Sequence, residues 1–118
     1  LLAGCEYNKS INNANDLLAL INLEHLSGRY PNEISGGEKQ RLAVLRGVVN
    51  KPLIVFADEP TGNLDNDNSL IIIKLLDDLN KKFNISFIIA THDSQVTKIS
   101  ERSFYIINGK LNSSAEQG

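Results

Sequence analysis

Apolar residues in this chain alternate between helical spacing and short unbroken runs. Ala14, Leu17, Leu18 and Ile21 recur at helical spacing behind polar Ser10, Asn12 and Asn13, which predicts a helix over residues 10–26. Gly28, Pro31 and Asn32 punctuate a loop over residues 27–35. A second helix is predicted over residues 36–49, with Ser35 as N-cap and Glu38 at its third position, the chemistry of a capping box. Lys51-Pro52 stops it. Residues 53–57 form a continuous apolar run, the pattern of a strand buried on both faces. Leu70, Ile73, Leu76 and Leu79 mark one side of a third helix over residues 66–83. Residues 85–90 read as another buried strand, and residues 94–99 as a short helix. Asn108-Gly109 predicts a hairpin turn between residues 104–107 and Leu111, followed by a polar tail from Ser113.

Strand, helix and strand between residues 53 and 90 make a βαβ unit with two parallel strands and a right-handed crossover. Both strands then end on one sheet edge, where open α/β sheets bind their ligands. Asp58-Glu59 finishes the first strand and Thr91-His92 the second. An apolar strand ending in two carboxylates offers a Mg²⁺ ligand at Asp58 and a general base at Glu59. Gly36-Gly37, opening a helix behind Ser35, offers bare backbone N–H groups and the positive end of a helix dipole to a phosphate. Asp65, just ahead of a helix, is by default an N-cap. Together these elements read as nucleotide hydrolysis.

The stretch Ile34-Ser35-Gly36-Gly37-Glu38-Lys39-Gln40-Arg41, then Leu53–Pro60, then Gly62-Asn63-Leu64-Asp65, with His92 downstream, resembles an ATP-binding-cassette (ABC) ATPase. In order these are similar to its signature motif, Walker B strand, D-loop and switch histidine. The wording of Pro60–Asp65, with Tyr30-Pro31 ahead of the signature, is most similar to the branch serving lipoprotein release and macrolide efflux. The resemblance implies ATP and Mg²⁺ as cofactors. It places Ser35, Gly36, Gly37 and Glu38 on the ATP of a second, head-to-tail ATP-binding subunit, with Asp65 reaching across the same interface. Glu59 and His92 become the catalytic pair, and Asp58 the metal ligand. Many members have Gln where this chain has Glu38. A P-loop, Gly-x-x-x-x-Gly-Lys-Ser/Thr, does not occur; the single Gly109-Lys110 pair precedes Leu111 and suits the hairpin turn instead.

The resemblance therefore implies an α/β fold, the C-terminal part of a P-loop NTPase domain. Residues 1–50 would be a portion of the helical subdomain, and residues 51–118 the C-terminal half of the ATPase core. The implied function is ATP hydrolysis coupled to export or lipoprotein release through a transmembrane permease, on the cytoplasmic face of the cell membrane. This chain by itself is expected to bind ATP poorly. The absence of any Met suggests a fragment.

Composition narrows the alternatives. With 42% hydrophobic and 22% charged residues over 118 positions, the chain has the make-up of about one globular domain. A net charge of −2 gives no basic surface for nucleic acid, and none is expected as a partner. The lone Cys5 forms no internal disulfide and fits a reducing compartment. His25 and Cys5 read as structural or surface residues, and Arg41 and Arg46 as interface or ion-pairing residues. No apolar run approaches the ~18 residues of a membrane span. Two other classes stay open: a non-transport ABC ATPase of DNA repair or chromosome maintenance, and a truncated, non-enzymatic module lending its signature to a partner.

Overall fold

Ser35 sits extended just before the first well-defined helix and makes the two reciprocal bonds that the spacing predicts. In a computed structural model of the chain, Glu38 N donates to Ser35 Oγ at 3.2 Å and Ser35 N donates to Glu38 Oε1 at 3.1 Å. These bonds satisfy otherwise orphaned donors and start helix α1, Gly36–Val48. The structure describes residues 34–113, together with Leu18, Ala19, Tyr30 and Asn32. Of the helix expected over residues 10–26, only the helical Leu18 and Ala19 are among them; the rest, with His25 and Cys5, lies outside the described residues.

Five further elements follow α1 as far as the first strand of a terminal hairpin: β1 (Ile54–Asp58), α2 (Asn66–Phe83), β2 (Ser86–Ala90), α3 (Ser94–Ile99) and β3 (Tyr105–Ile107). The chain then turns into β4 (Lys110–Asn112). Strands β1 and β2 pair in parallel, from Ile54 opposite Ser86 to Asp58 opposite Ala90. The predicted hairpin is present, with Tyr105 opposite Asn112 and positive φ at both Asn108 and Gly109. Two consecutive positive φ values are what a two-residue turn between right-twisted strands requires.

Helix α2 crosses from the end of β1 back to the start of β2. Asp65 caps its N-terminus, and Asn84, with φ 55, ends it in the left-handed conformation. Leu45 and Val48 of α1 pack with Leu75, Leu79 and Ile85 into the core, and Leu18, Val55 and Phe87 rest against it. The C-terminal turns of α1 thus share one core with the βαβ unit.

Two expectations are corrected here. The strands are covered on one face only: Val55, Ala57, Phe87 and Ile89 are half-buried, whereas Phe56 is 77% exposed and Ile54 and Ile88 face outward with it. An alternating backbone sends neighbouring side chains to opposite faces, and among the described residues the helices cover just one. The buried stripe of α2 includes the expected Ile73, Leu76 and Leu79 but not the expected Leu70. It runs through Ser69, Ile72, Ile73, Leu75, Leu76 and Leu79, and leaves Leu70 exposed. Four apolar residues in succession, Leu70 to Ile73, occupy every side of a helical turn, so spacing alone does not fix its phase.

Candidate functional site

The parallel ladder delivers its two chemical groups to one edge. Beyond the Asp58–Ala90 pair, Glu59 N still donates to Ala90 O at 2.8 Å, so the strand ends held to its neighbour. At Glu59 the backbone turns into the left-handed region, φ 45, which costs of order 1–3 kcal/mol for a residue with a side chain. The following turn is tight: Gly62 N donates to Glu59 O at 2.9 Å. A Cβ on Gly62 would stand 3.1 Å from that same oxygen, so a glycine suits the position.

The turn directs Glu59 at the end of β2. Its Oε1 lies 2.8 Å from His92 Nδ1, and its Oε2 accepts the Thr91 hydroxyl at 3.2 Å. Thr91 Oγ1 in turn accepts Asp93 N at 3.0 Å. Asp93 caps α3 through Gln95 N at 2.9 Å, and its other oxygen accepts the buried Thr61 hydroxyl at 2.9 Å. Two segments 32 residues apart are thereby clasped, and they line an open cleft of about 490 Å³ that also includes Gly62, Asn63 and Ser69. Asp58 ends β1 with an exposed carboxylate that no described side chain or backbone group engages.

The Glu59–His92 contact sets the electrostatics. The hydrogen bond from His92 is the main cause that holds the Glu59 carboxyl below its ordinary value, and the bond to Glu59 raises the His92 imidazole above its own. A raised histidine pKa stabilises the fold fully below about 6.5, and that contribution is lost as pH rises through the folded value. A lowered carboxyl pKa works the other way, stabilising above about 4.5 and failing as pH falls through the folded value. The ion pair is therefore strongest between the two. We expect His92, followed by NMR, to titrate above 6.5, and to return toward that value in Glu59→Gln. Coincident titrations of the two proteins would refute the pairing.

The remaining candidate residues gather elsewhere. Ser35 caps α1 and Gly36, Gly37 and Glu38 open its first turn, and Gly37 stands against Asn68, which Asp65 holds by two hydrogen bonds. Gln40 Nε2 donates to Pro60 O at 2.7 Å and ties α1 to the turn after β1. The site so divides into a carboxylate–imidazole pair at the sheet edge and a junction of two helix N-termini beside it. Asp65 is an N-cap in fact, accepting Asn68 N at 2.8 Å. The side-chain bonds of Thr61, Thr91 and Asn68 are not among the expectations from sequence. Threonines at both strand ends were the available signal, since their hydroxyls readily bond nearby backbone and carboxylates.

The family model described as ABC transporter matches residues 5–62. The chain is 47% identical over 100 residues to the lipoprotein-releasing system ATP-binding protein LolD of Cytophaga hutchinsonii, covering 85% of this chain and 46% of that protein. It is 50% identical over 98 residues to LolD of Buchnera aphidicola, covering 83% and 43%. Among solved structures, the ATP-binding cassette MJ0796, a post-hydrolysis dimer bound to ADP and Pi, superimposes with a TM-score of 0.76 at 30% identity. That match covers 96% of this chain and 50% of the cassette. The chain belongs to the ABC transporter ATP-binding family. Within it the similarity is to the lipoprotein-release branch, and the chain spans about half the length of the curated relatives it matches.

Proposed function

We propose that this chain supplies the hydrolytic half of one ATP site and the signature half of another, in an ABC transporter subunit that couples ATP hydrolysis to export or lipoprotein release. The observation that carries the reading is the 2.8 Å contact between Glu59 and His92, delivered from two strand ends to one open cleft. Glu59 is the general base: a water that displaces one of its two present donors would sit on a carboxylate oriented by the other. His92, exposed at the rim, donates to Glu59 or to an incoming phosphate oxygen. Asp58 would hold Mg²⁺, directly or through water. One free carboxylate suits this ion, which keeps several waters and takes substrate phosphates rather than a cage of protein ligands. No cluster of three metal-binding side chains occurs among the described residues. When bound, the ion neutralises charge on the phosphates.

Ser35, Gly36, Gly37, Glu38 and Asp65 would face ATP held by a second ATP-binding subunit. Support for this comes from Gly36, where an added Cβ would meet nothing within 4 Å, so that a ligand has clear approach. A dimeric arrangement is recorded for the similar cassette MJ0796. In this reading residues 1–50 belong to the helical subdomain and residues 51–118 to the ATPase core. A transmembrane permease is the further partner, with the subunit peripheral on the cytoplasmic face of the membrane. No helix among the described residues is long and apolar enough to cross a membrane.

The test is equilibrium binding and turnover. The 118-residue chain alone is expected to show no saturable ATP binding below about 1 mM, an affinity of roughly −4 kcal/mol. The full-length protein that carries it should bind and hydrolyse ATP with Mg²⁺, and co-purify with a membrane permease. Failure of the full-length protein to hydrolyse ATP overturns the proposal.

A further inference from the structure

The two adjacent glycines of α1 stand in different surroundings. An added Cβ at Gly36 would meet nothing within 4 Å. At Gly37 it would fall 2.3 Å from Asn68 Oδ1, 2.7 Å from Asn68 Cγ and 3.2 Å from Asn68 Nδ2. A carboxamide at the end of a free side chain would swing aside. This one is pinned, because Asp65 accepts Asn68 N at 2.8 Å through Oδ1 and Asn68 Nδ2 at 3.1 Å through Oδ2. Moving it breaks the second of these bonds, which helps to orient the Asp65 carboxylate that also accepts Asn68 N. Close by, Gln40 binds Pro60 O and fixes α1 against the turn that leads to Asp65.

From this packing we infer that Asn68 is a positioning residue that locks the start of α1 to Asp65, and that Gly37 lacks a side chain to admit its carboxamide. Gly36 is then the glycine that leaves surface open, and Gly37 the one that joins two segments of the same chain. The first turn of α1 and Asp65 are thereby coupled through Asn68, on the surface that a ligand or partner would approach. The inference deepens the reading of both segments as facing a second subunit's nucleotide, and rests on that reading only for its consequence. The packing itself is testable without nucleotide.

Hydrogen exchange of the backbone amide at position 68, which reports its bond to Asp65, provides the test in the 118-residue chain. Gly36→Ala should leave this amide as protected as in the wild type. Gly37→Ala should make it exchange about tenfold faster or more, as expected for local opening of a helix start. Adding Asn68→Ala to Gly37→Ala removes the three atoms nearest the new methyl, and should restore protection at position 68. If Gly37→Ala does not fold but the double variant does, the inference also stands. It is overturned if Gly37→Ala leaves the amide unchanged, if Gly36→Ala disturbs it equally, or if the double variant is no better than Gly37→Ala. Because exchange is read without ATP, absence of hydrolysis in the full-length protein would defeat the functional reading and leave this result intact.

Discussion

Glu59→Gln in the full-length protein is expected to lower ATP turnover by about 10²–10⁴-fold, the usual contribution of a general base, while ATP binding persists. The carboxamide keeps the size and most of the hydrogen-bonding shape of the carboxylate. Its oxygen still accepts from Thr91 or His92, so the turn through Gly62 and the cleft wall stay in place. What is lost is the site for a proton. The left-handed backbone at Glu59 bears on this outcome. Strain there is maintained by the Ala90 ladder bond and the Gly62 turn, neither of which uses the side chain. The substitution should therefore separate chemistry from folding. Steady-state phosphate release checks the first half of the expectation and equilibrium ATP binding the second. Turnover within a few-fold of the wild type would remove Glu59 from the role of base.

How much of this arrangement was legible follows from the range over which each contact acts. The Ser35–Glu38 capping box and the Asp65 cap close within three residues, so residue type and spacing sufficed to place them. The meeting of Glu59 and His92, 33 residues apart, was foreseeable because a βαβ unit brings two strand ends to one edge. The exposure of Phe56 was not. Five consecutive apolar residues look alike whether a strand is covered on one face or both, and only the tertiary arrangement of helices decides. The Thr61–Asp93 bond was equally hidden, since nothing local distinguishes a hydroxyl that reaches across 32 residues from one that bonds its own turn. At Gly37 the residue type points to a close approach without naming the neighbour. The phosphate-binding logic of a helix start explains Gly36 well, while the contact with Asn68 depends on how two helices converge. Functional chemistry was thus more visible than the contacts that aim it.

The largest effect on stability is expected at Leu79. Its side chain is completely buried and lies where α1, α2 and the start of β2 meet, with Leu45, Val48, Leu75 and Ile85 around it. Leu79→Ala removes three carbon atoms from that junction and leaves a cavity that two helices and a strand cannot easily close, at a cost of about 2–5 kcal/mol. A chain of this length has about 6 kcal/mol of stability at the low end of the usual range, so much of the folded population is at risk. Leu70, on the same helix, gives the contrast: it is exposed, and Leu70→Ala should change stability by no more than about 0.5 kcal/mol. Chemical denaturation of the two variants checks that the expected stripe is buried at its Leu79 end and exposed at its Leu70 end. The site should respond to the first variant as well. Asn80 Nδ2 donates to Ile85 O at 2.9 Å and fixes the turn from α2 into β2, one residue beyond Leu79. Loosening that turn frees the strand that carries Thr91 and His92 to Glu59. In molecules of Leu79→Ala that remain folded, the His92 titration should therefore drift back toward the ordinary imidazole value, although the substitution lies at the far end of the helix from the cleft.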